Sequence, residues 1–147
     1  RLVAGRPLVL GGVTIPFHLG LLGHSDADAL AHAAMDAMLG ACALGDIGKL
    51  FPDTDPQYAG ICSLTLLTQV LRRTLAQGYA LSNLDATIVA QQPKLAPHIP
   101  AMRAKLAAAM ACGQERISIK ATTPEGCGPE GALESITVRC VCSMEAI

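Results

Sequence analysis

The sequence predicts a single α+β (α/β) domain, a mixed β-sheet with helices packed on one face. Three observations carry that expectation. At 147 residues the chain is long enough for one core and too short for two. Two segments, Leu84–Gln91 and Arg116–Thr122, alternate apolar and polar residues with a period of two. Between and before them run segments with helical spacing. Finally, 51% of residues are hydrophobic but only 3% aromatic, so the core must be built from Ala, Leu, Val and Ile, whose small side chains let helices approach closely.

The elements follow in order. Leu8 to Ile15 reads as an extended segment, interrupted by the turn-forming pair Gly11-Gly12 and ended by Pro16. A loop through Phe17 and Gly20 leads to a helix from about Asp26 to Ala43, closed by Gly45. Leu64, Leu66, Leu67, Val70, Leu71 and Leu75 give Ser63–Gln77 the stripe of a packing helix, stopped by Gly78. A strand containing Leu84, Ala86, Ile88 and Ala90 ends in Gln92-Pro93. Pro100 opens a helix to about Cys112, Arg116–Thr122 is the next strand, and Glu134–Ser143 is the last. Helices interleaved with strands in this way indicate a sheet with one covered face, its pairing left open by the pattern.

Charge and composition narrow the functional classes. Eleven basic and twelve acidic residues give a net charge of −1 without a basic stripe, so neither DNA nor RNA is an expected partner. Polar residues interrupt every apolar run before it reaches spanning length, so no membrane is expected either. The six cysteines form no C-x-x-C unit and are expected as buried free thiols in a reducing, cytoplasmic compartment. Cys140 and Cys142 share one strand face. The first residue is Arg1 rather than Met and no secretory signal follows, which leads us to expect residues upstream and leaves a plastid open.

The chemistry concentrates in Gly23-His24-Ser25-Asp26-Ala27-Asp28-Ala29-Leu30-Ala31-His32. A helix beginning near Asp26 would place Asp28, His32 and Asp36 on one face, an imidazole flanked by carboxylates and suited to holding a metal. Asp46 to Pro56 is a turn-rich loop in which Asp53 and Asp55 can serve as turn caps. Further polar clusters fall at Gln91–Lys94 and Thr122–Glu125, each after a strand. Together the clusters would form one cleft whose amides, hydroxyls, lysine and carboxylates suit a phosphorylated substrate and divalent ions.

Four runs, Leu22–Asp28, Ala43–Pro56, Pro93–His98 and Lys120–Glu125, resemble in order and spacing the 2-C-methyl-D-erythritol 2,4-cyclodiphosphate synthase family. The resemblance covers nearly the whole chain. It implies an enzyme of non-mevalonate isoprenoid (terpenoid) biosynthesis, a phosphorus–oxygen lyase. Such an enzyme converts 4-diphosphocytidyl-2-C-methyl-D-erythritol 2-phosphate to the 2,4-cyclodiphosphate and releases CMP. Zn2+ and a Mg2+ or Mn2+ ion would assist.

Residue by residue, the resemblance makes His24 and Thr123 the catalytic, transition-state-stabilising pair and His32 a zinc ligand. Ser25, Asp46, Ile47, Gly48, Phe51, Pro52, Asp53, Thr54 and Asp55 would bind the methylerythritol side. Ala90, Gln91, Gln92, Pro93, Lys94, Leu95 and Ala96 would form the cytidine loop, Lys94 neutralising phosphate. Thr122, Pro124 and Glu125 complete the site, Glu125 holding magnesium or manganese.

Two further zinc ligands, an Asp-x-His pair, are expected immediately before Arg1. Pro129 and Ala132 stand where the family commonly has an aromatic residue and an arginine, at a cavity on the trimer axis. Ala27 replaces a usual Gly, a change of small consequence if that position is helical. The family implies a homotrimer with clefts between neighbours. The competing expectation is a zinc-deficient, non-catalytic trimeric nucleotide-binding homologue. A generic phosphoesterase fits less well.

Overall fold

The computed structural model describes residues 1–147. Its first four strands are short. β1 (Leu2–Ala4) pairs antiparallel with β4 (Leu19–Leu21), and β2 (Leu8–Leu10) with β3 (Val13–Ile15). The segment expected as one broken strand is therefore a hairpin. Gly11 and Gly12 turn it with φ of +58° and +73°, a pair of left-handed residues whose twist suits a two-residue connection. β1 and β4, with the latter expected as loop, escape a periodicity reading because three residues are too few to show alternation. At Gly20 the chain crosses Arg6, and a Cβ there would sit 2.2 Å from the Arg6 carbonyl oxygen.

The main sheet has the order β6-β5-β7. β5 (Tyr79–Val89) lies at its centre, parallel to β6 (Ile117–Thr122) and antiparallel to β7 (Thr137–Ala146). The sheet is thus mixed as expected, with the pairing of each strand, which the pattern left open, now assigned. Leu84, Ala86 and Ile88 are fully buried on one face, beneath α1 (Ala29–Ala41), α3 (Ser63–Ala76) and α4 (Ile99–Ala109). Two single-turn helices, α2 (Ile47–Leu50) and α5 (Gly128–Gly131), punctuate the loops. The other face of the sheet is bare: Asp85, Thr87, Lys120, Arg139, Val141 and Glu145 stand on it, and Val141 is 68% exposed.

Several boundaries differ from expectation. β5 begins at Tyr79 and β7 runs to Ala146, because the antiparallel pairing from Tyr79↔Ala146 to Val89↔Thr137 extends both strands beyond their alternating parts. α1 starts at Ala29, three residues later than expected, because Asp28 is its N-cap and accepts from the Ala31 amide at 3.0 Å.

Ala27 sits just before that cap with φ +57°, so the position is left-handed rather than helical, and the replacement of Gly there carries backbone strain. The Ser25 hydroxyl, accepting from Ala27 N, and the Asp26 carboxylate, accepting from Asp28 N, hold the turn in place.

The six cysteines carry free thiols, but none is fully buried, and Cys62 and Cys127 are exposed. Cys140 and Cys142 do share the inner face of β7, where burial pushes their pKa values up to about 12 and about 11. No helix is long and apolar enough to cross a membrane.

Candidate functional site

The polar clusters expected to share a cleft form two in this chain. The first, about 300 Å³, is lined by His24, Ser25, His32, Ile47, Gly48, Phe51, Asp53, Tyr58 and Leu66. The second, about 440 Å³, is lined by residues 90–96 together with Ala121, Thr122 and Thr123. They share no lining residue, because the first sits on the turns flanking α1 and the second on the C-terminal ends of β5 and β6.

Carboxylates on backbone amides build the first cavity. Buried Asp28 caps α1 and also accepts from Gly11 N at 2.8 Å and Gly12 N at 2.7 Å, which pins the hairpin to the helix. Burial pushes its pKa up, while the three amides hold that rise back. Asp28 therefore does not flank His32 as the four-residue spacing implied, because a cap carboxylate turns back over the helix end.

Asp36, the other expected flanking carboxylate, receives Ile47 N at 2.9 Å and anchors the start of α2. Asp46 caps α2 through Lys49 N at 3.0 Å. Asp55 caps the turn at Pro56–Tyr58, and bonds from the Gln57 backbone and side chain lower its pKa.

His24 is fixed by a 2.9 Å hydrogen bond from Nε2 to the Asp55 carbonyl oxygen. That oxygen can only accept, so Nε2 donates to it. His32 projects from α1, with Nε2 2.9 Å from Ser63 Oγ and 3.2 Å from Ser25 Oγ. Ser63 in turn reaches Asp26 at 2.5 Å. Imidazole suits zinc as a donor, yet no group of three or more His, Cys, Asp or Glu residues is arranged to hold a metal ion within the chain. His32 could supply at most one ligand and cannot form a zinc cage alone.

The second cavity is held more loosely. Gln91 Oε1 accepts from Gly126 N at 2.8 Å and ties the loop after β6 to the end of β5. Glu125, with φ +53°, accepts from the Thr123 hydroxyl at 3.0 Å. Exposed Lys94 presents its amine at the rim. Pro52, Thr54, Asp55, Asp46, Pro124 and Glu125 lie beside the two cavities rather than on their walls.

Sequence reasoning missed Tyr58 and Leu66 in the first cavity and Ala121 in the second. It also gave no role to Ser63, whose signal was hidden because its partner Asp26 lies 37 residues away. His18 is exposed, and His98 lies at the start of α4.

A model of the YgbB family matches residues 1–145. The chain belongs to this family. Its relatives include the 2-C-methyl-D-erythritol 2,4-cyclodiphosphate synthase of Geobacter sulfurreducens, 58% identical over 145 residues that cover 99% of this chain and 92% of that protein. The synthase of the same name from Clostridium beijerinckii is 53% identical over 147 residues, covering 100% of this chain and 93% of that one.

Among solved structures, the CDP-bound form of a 2C-methyl-D-erythritol-2,4-cyclodiphosphate synthase superposes with a TM-score of 0.89 at 41% identity. It covers 99% of this chain and 94% of its own. The bifunctional IspDF from Campylobacter jejuni gives a TM-score of 0.95 at 40% identity, and the chain spans 99% of itself and 40% of that larger protein. These family members are named as enzymes, which favours the catalytic expectation over the non-catalytic one.

Proposed function

We propose that the protein is a phosphorus–oxygen lyase that closes 4-diphosphocytidyl-2-C-methyl-D-erythritol 2-phosphate into 2-C-methyl-D-erythritol 2,4-cyclodiphosphate and releases CMP. The observation that carries this reading is a cavity gathering His24, Ser25, His32 and Asp53 in a chain 58% identical to a synthase of that name. An oxygen of the substrate's 2-phosphate attacks the β-phosphorus, and the bond to the oxygen bridging the α and β phosphorus atoms breaks. Both reacting groups belong to one molecule, so the protein's task is to fold the substrate and offset charge rather than supply a nucleophile.

The first cavity suits the methylerythritol end, with His24 and Ser25 at the phosphates and Asp46 and Gly48 beside the polyol. The second suits the cytidine end: residues 90–96 wrap the base and ribose, and Lys94 offsets phosphate charge. Thr123 complements His24 from the other side. In this reading His32 would contribute a ligand to Zn2+ and Glu125 one to Mg2+ or Mn2+, and such ions would polarise the diphosphate.

The reading requires association with neighbouring copies, a homotrimer by the family resemblance, since His24 and Thr123 line separate cavities within one chain. Two features of the bare sheet face support such assembly. Val141 is 68% exposed there, and Asp85 Oδ1 is shielded from solvent with no hydrogen-bond partner in its own chain. A small-molecule nucleotide is the partner. The test is CMP release from the diphosphocytidyl substrate by the full-length protein with zinc and magnesium. Release with formation of the cyclic diphosphate supports the reading, and no release under those conditions rejects it.

A further inference from the structure

We infer that Asp26 and Ser63 form a hydrogen-bond relay that sets the tautomer of His32 and aims the Ser25 hydroxyl into the first cavity, and so act as positioning residues. The catalytic consequence rests on the function proposed above; the relay itself does not.

The direction of every proton follows from the acceptor at one end. Asp26 receives the Asp28 amide at 3.1 Å, the Ser63 amide at 3.0 Å and the Ser63 hydroxyl at 2.5 Å. A carboxylate so engaged only accepts, so the single hydrogen of Ser63 is committed to Asp26. Ser63 Oγ therefore meets His32 Nε2, 2.9 Å away, as an acceptor, and Nε2 must carry the ring proton. In a neutral imidazole the other nitrogen then holds a lone pair, which leaves Nδ1 free to accept a proton or a cation.

The same logic reaches Ser25. Its oxygen lies 3.2 Å from His32 Nε2 and 3.2 Å from Ala27 N, and accepts from both. The Ser25 hydrogen has no acceptor within the chain and is left for the cavity that Ser25 lines. Ser63 is fully buried at the first residue of α3, so water does not compete for its hydroxyl. Asp26 is two residues after His24 and spans the segments carrying both halves of the relay.

The experiment reads the 15N and proton signals of the His32 ring in the metal-free, full-length protein with the imidazole neutral. The wild type is expected to show the proton on Nε2. Ser63→Ala is expected to give a mixture of tautomers, and Ser63→Thr, which keeps the hydroxyl, to restore the wild-type signal. Asp26→Ala removes the carboxylate acceptor, releases the Ser63 hydrogen toward His32 and is expected to move the ring proton to Nδ1.

Should either alanine variant fail to fold, the wild type and Ser63→Thr still decide the matter. A wild-type ring protonated on Nδ1, or an Nε2 proton unchanged in Asp26→Ala, overturns the relay. In the CMP assay Ser63→Ala is expected to lower kcat about tenfold, with recovery in Ser63→Thr. A wild type that releases no CMP but keeps the Nε2 proton removes the proposed activity and leaves the relay standing.

Discussion

The two cavities are built by different means. Around the first, five aspartates at 26, 28, 36, 46 and 55 each accept at least one backbone amide, several from segments far along the chain. These bonds fix the hairpin, α1, α2 and the turn after it as a preformed frame, and the two histidines hang from that frame by hydrogen bonds of their own. Around the second, Gln91 makes one tie to Gly126 and the remaining side-chain bonds are local, while Lys94 and Thr123 stay exposed. One cavity is organised by its own chain. The other offers donors on strand ends, which in the proposed function a neighbour and a substrate would complete.

Replacing side chains on either side sharpens this contrast. The largest effect is expected for His24→Ala. Loss of a preoriented group at the reacting phosphates should lower kcat for CMP release by about 10³-fold, with thermal unfolding close to wild type because the ring is exposed. A variant within threefold of wild type would take His24 out of the reaction.

Asp28→Ala is expected to cost about 3 kcal/mol in denaturant unfolding, since three amides, two of them in the hairpin, lose their acceptor. The pH dependence sharpens the test. Burial raises the folded pKa of Asp28 above 3.8, so the folded state holds this proton more tightly than the unfolded chain. Its contribution to stability is therefore greatest below 3.8 and declines as pH rises through the raised value. The gap between wild type and variant should narrow over that rise; a gap that widens contradicts the burial account.

In the second cavity, Lys94→Ala should raise KM about tenfold while leaving stability unaltered, because its amine has no partner in the fold. A stability loss there would mean that the loop is as tightly framed as the first cavity. The smallest change is expected for Ala27→Gly, which relieves the left-handed strain and should raise stability by about 1 kcal/mol. A destabilised variant would show that the buried methyl outweighs the strain.

Legibility followed the range of the interactions. The helices and the long strands were readable because periodicity is local: Leu84, Ala86 and Ile88 alternate in the sequence and are all fully buried in the sheet. The hairpin at Gly11-Gly12 was half readable, its turn visible but its pairing not. Asp28 was misplaced because four-residue spacing implies a shared face only inside a helix, and the helix begins one residue later. Asp26, Ser63 and Tyr58 were invisible as a group, since no local pattern connects a turn before α1 to the start of α3.

The sequence by itself determined the α+β class, the aliphatic core, and four polar runs specific enough to place the chain in its family. Side-chain period and turn chemistry act over a few residues, and a single chain displays them in full. Only the tertiary structure decided that the polar runs form two cavities, that β5 pairs in parallel on one side and antiparallel on the other, and that Ala27 is left-handed. Those outcomes depend on which distant amides reach which carboxylates, and packing in three dimensions settles that competition.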